Sequence, residues 1–195
     1  MAQTPIPEKM QKKFIFVQIV SLSRIPLALL VATILIYRDQ DAQKFLPLFI
    51  CLLIMGMMEL TDVFDGILAR KFGIVSEWGA MIDPYSDSIS RLIVFWGLAC
   101  SHLASPLVPI VMAVRDVTVA YSRIILTRNN KSVSAKTSGK IKAIVQGVAA
   151  SLMVIGPLYW QWTGQWVASF LSWTVIIVTA WSSYSYVKSA MDSVE

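Results

Sequence analysis

The sequence predicts an all-α integral membrane protein, with six transmembrane helices around a polar cavity that faces the cytoplasm. Three observations lead there. Hydrophobic residues make up 56% of the 195-residue chain and charged residues only 15%, with a mean hydropathy of +0.63. Soluble domains carry about 25% charged residues, and disordered chains lack this apolar content, so both classes are excluded. The apolar residues gather into six stretches near 15–37, 45–64, 79–100, 105–127, 139–159 and 166–187, each close to the roughly 20 residues that cross a hydrocarbon core of about 30 Å. Acidic side chains punctuate the ends of the second and third stretches, and these need a polar cavity rather than lipid.

Each stretch has its own justification. The first is too long for the apolar core of a signal peptide, and five more follow it. Lys9, Lys12 and Lys13 precede it; Arg70 and Lys71 follow the second; Arg128, Lys131, Lys136, Lys140 and Lys142 flank the fourth and fifth; Lys188 closes the sixth. The opposite side has Arg38 and Lys44, offset by Asp39 and Asp41, then His102, then an uncharged aromatic turn. The positive-inside rule therefore places both termini in the cytoplasm. Trp160, Trp162 and Trp166 read as an outer interfacial belt, Tyr184 and Tyr186 as an inner one, and His102 as a solvated turn residue. Residues 1–14 read as a cytoplasmic or interfacial segment before a six-helix core at 15–188, so that 1–195 is a single membrane domain without internal repeats. The net charge of +5 is too small to imply a nucleic-acid partner, and Cys51 and Cys100, both in apolar runs, read as packing residues.

Four carboxylates carry the functional reading. Asp62, Asp65, Gly66 and Ala69 fall at i, i+3, i+4 and i+7 on one face of a helix, and Gly79, Asp83 and Asp87 at i, i+4 and i+8 on one face of the next. The loop from Lys71 to Trp78 is short enough to fold the two helices back antiparallel, which brings the acidic faces together. Four ionised carboxylates at such range require compensation. An all-oxygen set without His or Cys suits hard divalent ions, two Mg²⁺ or Mn²⁺, and paired metals recur where a phosphate is held during transfer. Gly66, Ala69 and Gly79 keep the wall shallow for a bulky ligand. Glu59 and Glu77 read as interfacial and solvated.

Asp62-x₂-Asp65-Gly66-x₂-Ala69-Arg70-x₈-Gly79-x₃-Asp83-x₃-Asp87 resembles the complete signature of the CDP-alcohol phosphotransferase (CDP-alcohol phosphatidyltransferase) family. The resemblance implies a multi-pass enzyme of the cell (inner) membrane, usually a homodimer, that uses an alcohol to displace CMP from a CDP-linked donor. It implies that Asp62, Asp65, Asp83 and Asp87 bind two Mg²⁺ or Mn²⁺ ions. It also implies that Asp87 is the base, and that Asp62, Asp65, Gly66, Ala69, Arg70, Gly79 and Asp83 hold the CDP donor.

Arg115-Asp116 through Arg123, followed by Ser138-Gly139-Lys140-Ile141-Lys142 and Gln146, looks like the corresponding region of the bacterial phosphatidylglycerophosphate synthase branch. That likeness implies CDP-diacylglycerol as donor and sn-glycerol 3-phosphate as acceptor, bound by Arg115, Arg123, Ser138, Lys140 and Lys142. Ala143, Ser88 and the Gln18-x₂-Ser21-x₂-Arg24 stretch depart from the branch pattern, and Arg24 reads as snorkelling to the cytoplasmic surface. Inositol phosphate, serine or another alcohol remains the alternative acceptor. A divalent-cation transporter would account for the carboxylates, but not for the small residues and Arg70 at their spacings.

Overall fold

The computed structural model describes residues 16–38, 45–72, 77–128 and 137–191, with the side chains at 62, 63, 65–72, 77–80, 128, 161, 163, 185 and 189 outside the description. Among the described residues six helices follow one another: α1 Arg24–Tyr37, α2 Phe45–Phe72, α3 Glu77–Cys100, α4 Leu107–Arg128, α5 Thr137–Thr163 and α6 Trp166–Met191. Residues 16–22 are helical too, and the ladder runs on through Ser23, whose amide donates to Ile19 O at 2.9 Å. They join α1 as one apolar span, Phe16–Tyr37. Two further spans, Thr137–Trp160 and Trp166–Lys188, lie in α5 and α6, and α2 holds a shorter apolar stretch, Phe45–Thr61. At 28, 24 and 22 residues, α2, α3 and α4 are also long enough to cross a bilayer at about 1.5 Å per residue. Their acidic and basic residues are what interrupt the apolar run. This is an all-helical membrane protein.

The packing follows from small residues and from which faces are apolar. α1 lies chiefly against α3, while α6 is shared between α4 and α5. The α1–α3 crossing is close: a Cβ added at Gly97 would sit 2.7 Å from Ala32 Cα, so only glycine lets the two backbones meet there. Ala28, Val31 and Leu35 of α1, Leu48 and Cys51 of α2, Phe95 and Leu98 of α3, Met112 of α4, Met153 of α5 and Val175 of α6 form the buried core. Phe49, Leu53, Ile110, Val114, Trp173 and Ile177 are exposed on the outside, as suits a chain whose outer solvent is lipid.

The α3–α4 turn places exposed His102 at φ 59°, and the α5–α6 turn uses Gly164 at φ +72°, a left-handed conformation that glycine adopts without strain. Trp162 and Trp166 are exposed beside that turn, as an interfacial belt requires. Trp160 departs from the belt. Its ring folds back over Gly156, where an added Cβ would approach within 2.6 Å. Cys51 is buried as expected, whereas Cys100 is exposed at the end of α3.

Candidate active site

The site is assembled around α3. Asp83 and Asp87 stand one turn apart with Pro84 between them, a residue that gives no amide proton to the helix ladder. Ser21, in the helical run before α1, donates from Oγ to Asp83 Oδ1 at 2.9 Å, and its own carbonyl accepts from Ser86 Oγ at 2.9 Å. Arg91, one turn beyond Asp87, donates from Nε to Asp87 Oδ1 at 2.9 Å and from NH1 to the Ala143 carbonyl of α5 at 2.8 Å. Its NH2 lies 3.4 Å from Glu59 Oε1 on α2. Asp62, Asp65, Gly66, Ala69 and Arg70 are carried by α2 and Gly79 by α3, but their side chains lie outside the described residues, as do Asp39, Asp41, Lys44, Lys131 and Lys136. Among the described residues no three His, Cys, Asp or Glu side chains cluster for a metal. The two carboxylates that are described fit a hard cation chemically: both offer oxygen donors, and each is oriented by a hydrogen bond to its Oδ1.

A second polar group sits where α4, α5 and α6 meet. Arg115 donates from Nε to Ser182 Oγ at 3.0 Å and from NH1 to Asp116 Oδ1 at 2.8 Å. Lys142 Nζ lies 3.6 Å from the same Asp116 oxygen, and the Arg115 and Lys142 side chains are 10% and 7% exposed. The Tyr186 ring lies between two guanidiniums, 5.7 Å from that of Arg115 and 5.5 Å from that of Arg123. Arg123 Nε is buried without a hydrogen-bond partner. Ser138 is buried in the first turn of α5, next to Gly139, where an added Cβ would lie 3.5 Å from the Tyr186 hydroxyl. Lys142 precedes Ala143, whose carbonyl accepts from the same Arg91 that holds Asp87, so this basic group neighbours Asp87 through α5.

A groove of about 700 Å³ opens between α2, α3 and α5. Its walls are apolar, from Leu52, Met55, Val94, Ile144 and Val148, and Glu59, Arg91 and Lys140 bring charge to it.

The family model for CDP-alcohol phosphatidyltransferase matches residues 14–181. The chain belongs to this family. A Rickettsia bellii protein named CDP-diacylglycerol–glycerol-3-phosphate 3-phosphatidyltransferase is 30% identical over 145 residues, covering 70% of this chain and 76% of that protein. A Mycobacterium tuberculosis protein named probable phosphatidylglycerophosphate synthase is 34% identical over 103 residues, 51% of this chain and 49% of its own. A Bacillus subtilis phosphatidyltransferase with the same name as the Rickettsia protein is 29% identical over 126 residues, 65% of each chain.

In this CDP-alcohol phosphatidyltransferase, Lys140 stands apart from Arg115 and Lys142, and two other expectations about side chains are corrected. Two helical positions apart, Lys140 and Lys142 point to opposite sides of α5, and Lys140 lines the groove instead. Tyr186 is not an interfacial anchor: at 2% exposure it is enclosed against the two arginines, while Tyr184 stays exposed. Arg24 does not snorkel either, being 2% exposed with Nε donating to the Ser21 carbonyl at 3.2 Å. Sequence reasoning also missed Arg91, although a cation one turn after Asp87 within an apolar run was a usable signal. It missed Ser182 and Tyr186 as partners of Arg115 because nothing in a periodicity says which helix faces α4. Both lie just past the matched segment, which ends at 181.

Proposed function

We propose that this membrane transferase moves the phosphatidyl group of CDP-diacylglycerol onto sn-glycerol 3-phosphate, releasing CMP and forming phosphatidylglycerophosphate. The observation that carries the acceptor is the buried Arg115–Asp116–Lys142 group with Arg123 beside it, joined to Asp87 through Arg91 and the α5 backbone at Ala143. Burying this many cations is costly unless an anion shares the space, and a dianionic phosphate monoester with a free hydroxyl meets that need. Tyr186 and Ser138 complete the wall. The relatives from Rickettsia and Bacillus carry names that specify the same donor and acceptor.

Asp62, Asp65, Asp83 and Asp87 would hold two Mg²⁺ or Mn²⁺ ions, whose contribution when bound is to neutralise charge developing as the bond to CMP breaks. Gly66, Ala69, Arg70 and Gly79 complete the donor-binding face. Asp87, held by Arg91 through Oδ1, takes the hydroxyl proton of glycerol 3-phosphate on its other oxygen. The freed hydroxyl oxygen bonds to the lipid-side phosphorus, and the phosphoanhydride bond breaks with its electron pair on CMP. The acyl chains lie along the apolar groove, which Arg91 connects to Asp87. Both termini and the site face the cytoplasm, where the soluble substrate and CMP are found, and the enzyme works as a homodimer.

The test is an acceptor panel with purified protein, CDP-diacylglycerol and Mg²⁺ or Mn²⁺. CMP release with sn-glycerol 3-phosphate is expected. Release with inositol phosphate or serine but not glycerol 3-phosphate would overturn the acceptor. No CMP with any acceptor, together with metal flux into liposomes, would overturn the reaction.

A further inference from the structure

We infer that Arg91 is the positioning residue of Asp87, a guanidinium clamp that fixes the last carboxylate of the signature against α5 and so sets its place relative to the acceptor-binding cations. The inference rests on the reading of Asp87 as the base. Three donors of one planar group leave in three directions: Nε to Asp87 on its own helix, NH1 to the Ala143 carbonyl on α5, and NH2 toward Glu59 on α2. An ion pair one helical turn apart contributes little when both partners are solvated. Here the Arg91 side chain is 14% exposed and Asp87 31%, and the bond to Ala143 crosses between helices. α3 and α5 touch only sparsely, and this bond is one of the links between them. Ala143 follows Lys142, whose ammonium lies 3.6 Å from Asp116. Arg91 thus ties Asp87 to the α5 backbone next to Lys142, whose side chain in turn reaches Asp116 and, through it, Arg115. Arginine suits this role better than lysine, because its rigid planar fork holds the donors to the carboxylate and to the carbonyl at fixed positions.

Arg91 also lines the groove, so the competing role is a direct grip on the donor phosphate. Kinetics of the purified full chain separate the two. Arg91→Met should lower kcat about tenfold or more while the KM for CDP-diacylglycerol stays within about twofold. Arg91→Lys should recover part of kcat by keeping the charge. Asp87→Asn should nearly abolish turnover, and adding Arg91→Lys or Arg91→Met to it should cost nothing further, because the guanidinium acts through that carboxylate. Wild-type kcat in both Arg91 variants, a raised donor KM at unchanged kcat, or an additive double variant would each overturn the clamp while leaving Asp87 in its role. Near-normal turnover by Asp87→Asn would overturn the role of Asp87 and the clamp with it. If Arg91→Met does not fold, Arg91→Lys alone and combined with Asp87→Asn decides between the same outcomes.

Discussion

Ser21 and Asp83 are 62 residues apart in the chain, yet the serine hydroxyl donates to the aspartate at 2.9 Å. This bond joins the first apolar span to the acidic face of α3 at the level where the site begins. A hydroxyl has one proton, and the Val17 carbonyl at 3.2 Å competes for it; the shorter, charge-assisted bond to the carboxylate is the stronger. Ser21→Ala should cost about 1 kcal/mol of stability. Because it frees the Asp83 rotamer, it should also raise the Mg²⁺ concentration needed for half-maximal CMP release about tenfold. A metal titration of wild type and variant checks this, and Ser21→Thr, which keeps the hydroxyl, should stay nearer wild type.

Gly97 tests the α1–α3 crossing independently of chemistry. A Cβ there meets the Ala32 Cα at 2.7 Å and its Cβ at 2.8 Å. Gly97→Ala should therefore cost about 1–3 kcal/mol by overpacking, read as a lowered Tm in detergent. Adding Ala32→Gly should restore only part of the loss, since it removes the side-chain clash and leaves the backbone one.

The spans were legible because lipid imposes a length and a composition that sequence displays directly: stretches expected at 15–37 and 166–187 emerge as Phe16–Tyr37 and as α6, Trp166–Met191. α2 runs to Phe72, past the apolar stretch that ends near 64 and through the turns on which Asp62, Asp65, Gly66 and Ala69 were expected to share a face. Asp83 and Asp87 were conspicuous as acids in an apolar stretch, and their spacing puts them one turn apart on α3; the side chains of Asp62 and Asp65 lie outside the described residues. Tyr186 and Arg91 were not read as site residues. Their roles depend on which helix stands opposite, and neither aromatic content nor helical period encodes that. Arg24 was misread for the same reason: snorkelling is the default for a lone terminal cation, and only the packing shows it enclosed beside Ser21.

Gly56 probes the groove. It lines the cavity, and an added Cβ there meets nothing within 4 Å, so larger side chains fit without disturbing the bundle. Gly56→Leu should leave the Tm near wild type and raise the KM for CDP-diacylglycerol about tenfold by occupying space meant for acyl chains. A short-chain donor should be less affected than a long-chain one, and equal effects on both would remove the acyl chains from this groove.

Tyr186 should matter through its ring. Each guanidinium over an aromatic face is worth about 0.5–2 kcal/mol, rising with burial, and this ring serves Arg115 and Arg123 together. Tyr186→Ala should raise the KM for sn-glycerol 3-phosphate about tenfold or more with little change in the donor KM. Tyr186→Phe, which retains the face, should shift it less.

The two lysines of α5 provide the sharpest division between the substrates. Lys142 is enclosed beside Asp116 and Arg115, whereas Lys140, on the other side of the same helix, is exposed on the groove. If the buried group holds the acceptor phosphate and the groove holds the lipid, the two variants should fail differently. Lys142→Ala should raise the KM for sn-glycerol 3-phosphate about tenfold or more, in line with losing a charged hydrogen bond of about 1.5–3 kcal/mol, and leave the donor KM within about twofold. Lys140→Ala should spare the acceptor KM and instead weaken the donor, most visibly at low ionic strength where an exposed cation is least screened. Both KM values measured for both variants check this. A shared acceptor defect would mean that α5 turns relative to α4 when substrate binds, and a shared donor defect would take Lys142 out of the acceptor site.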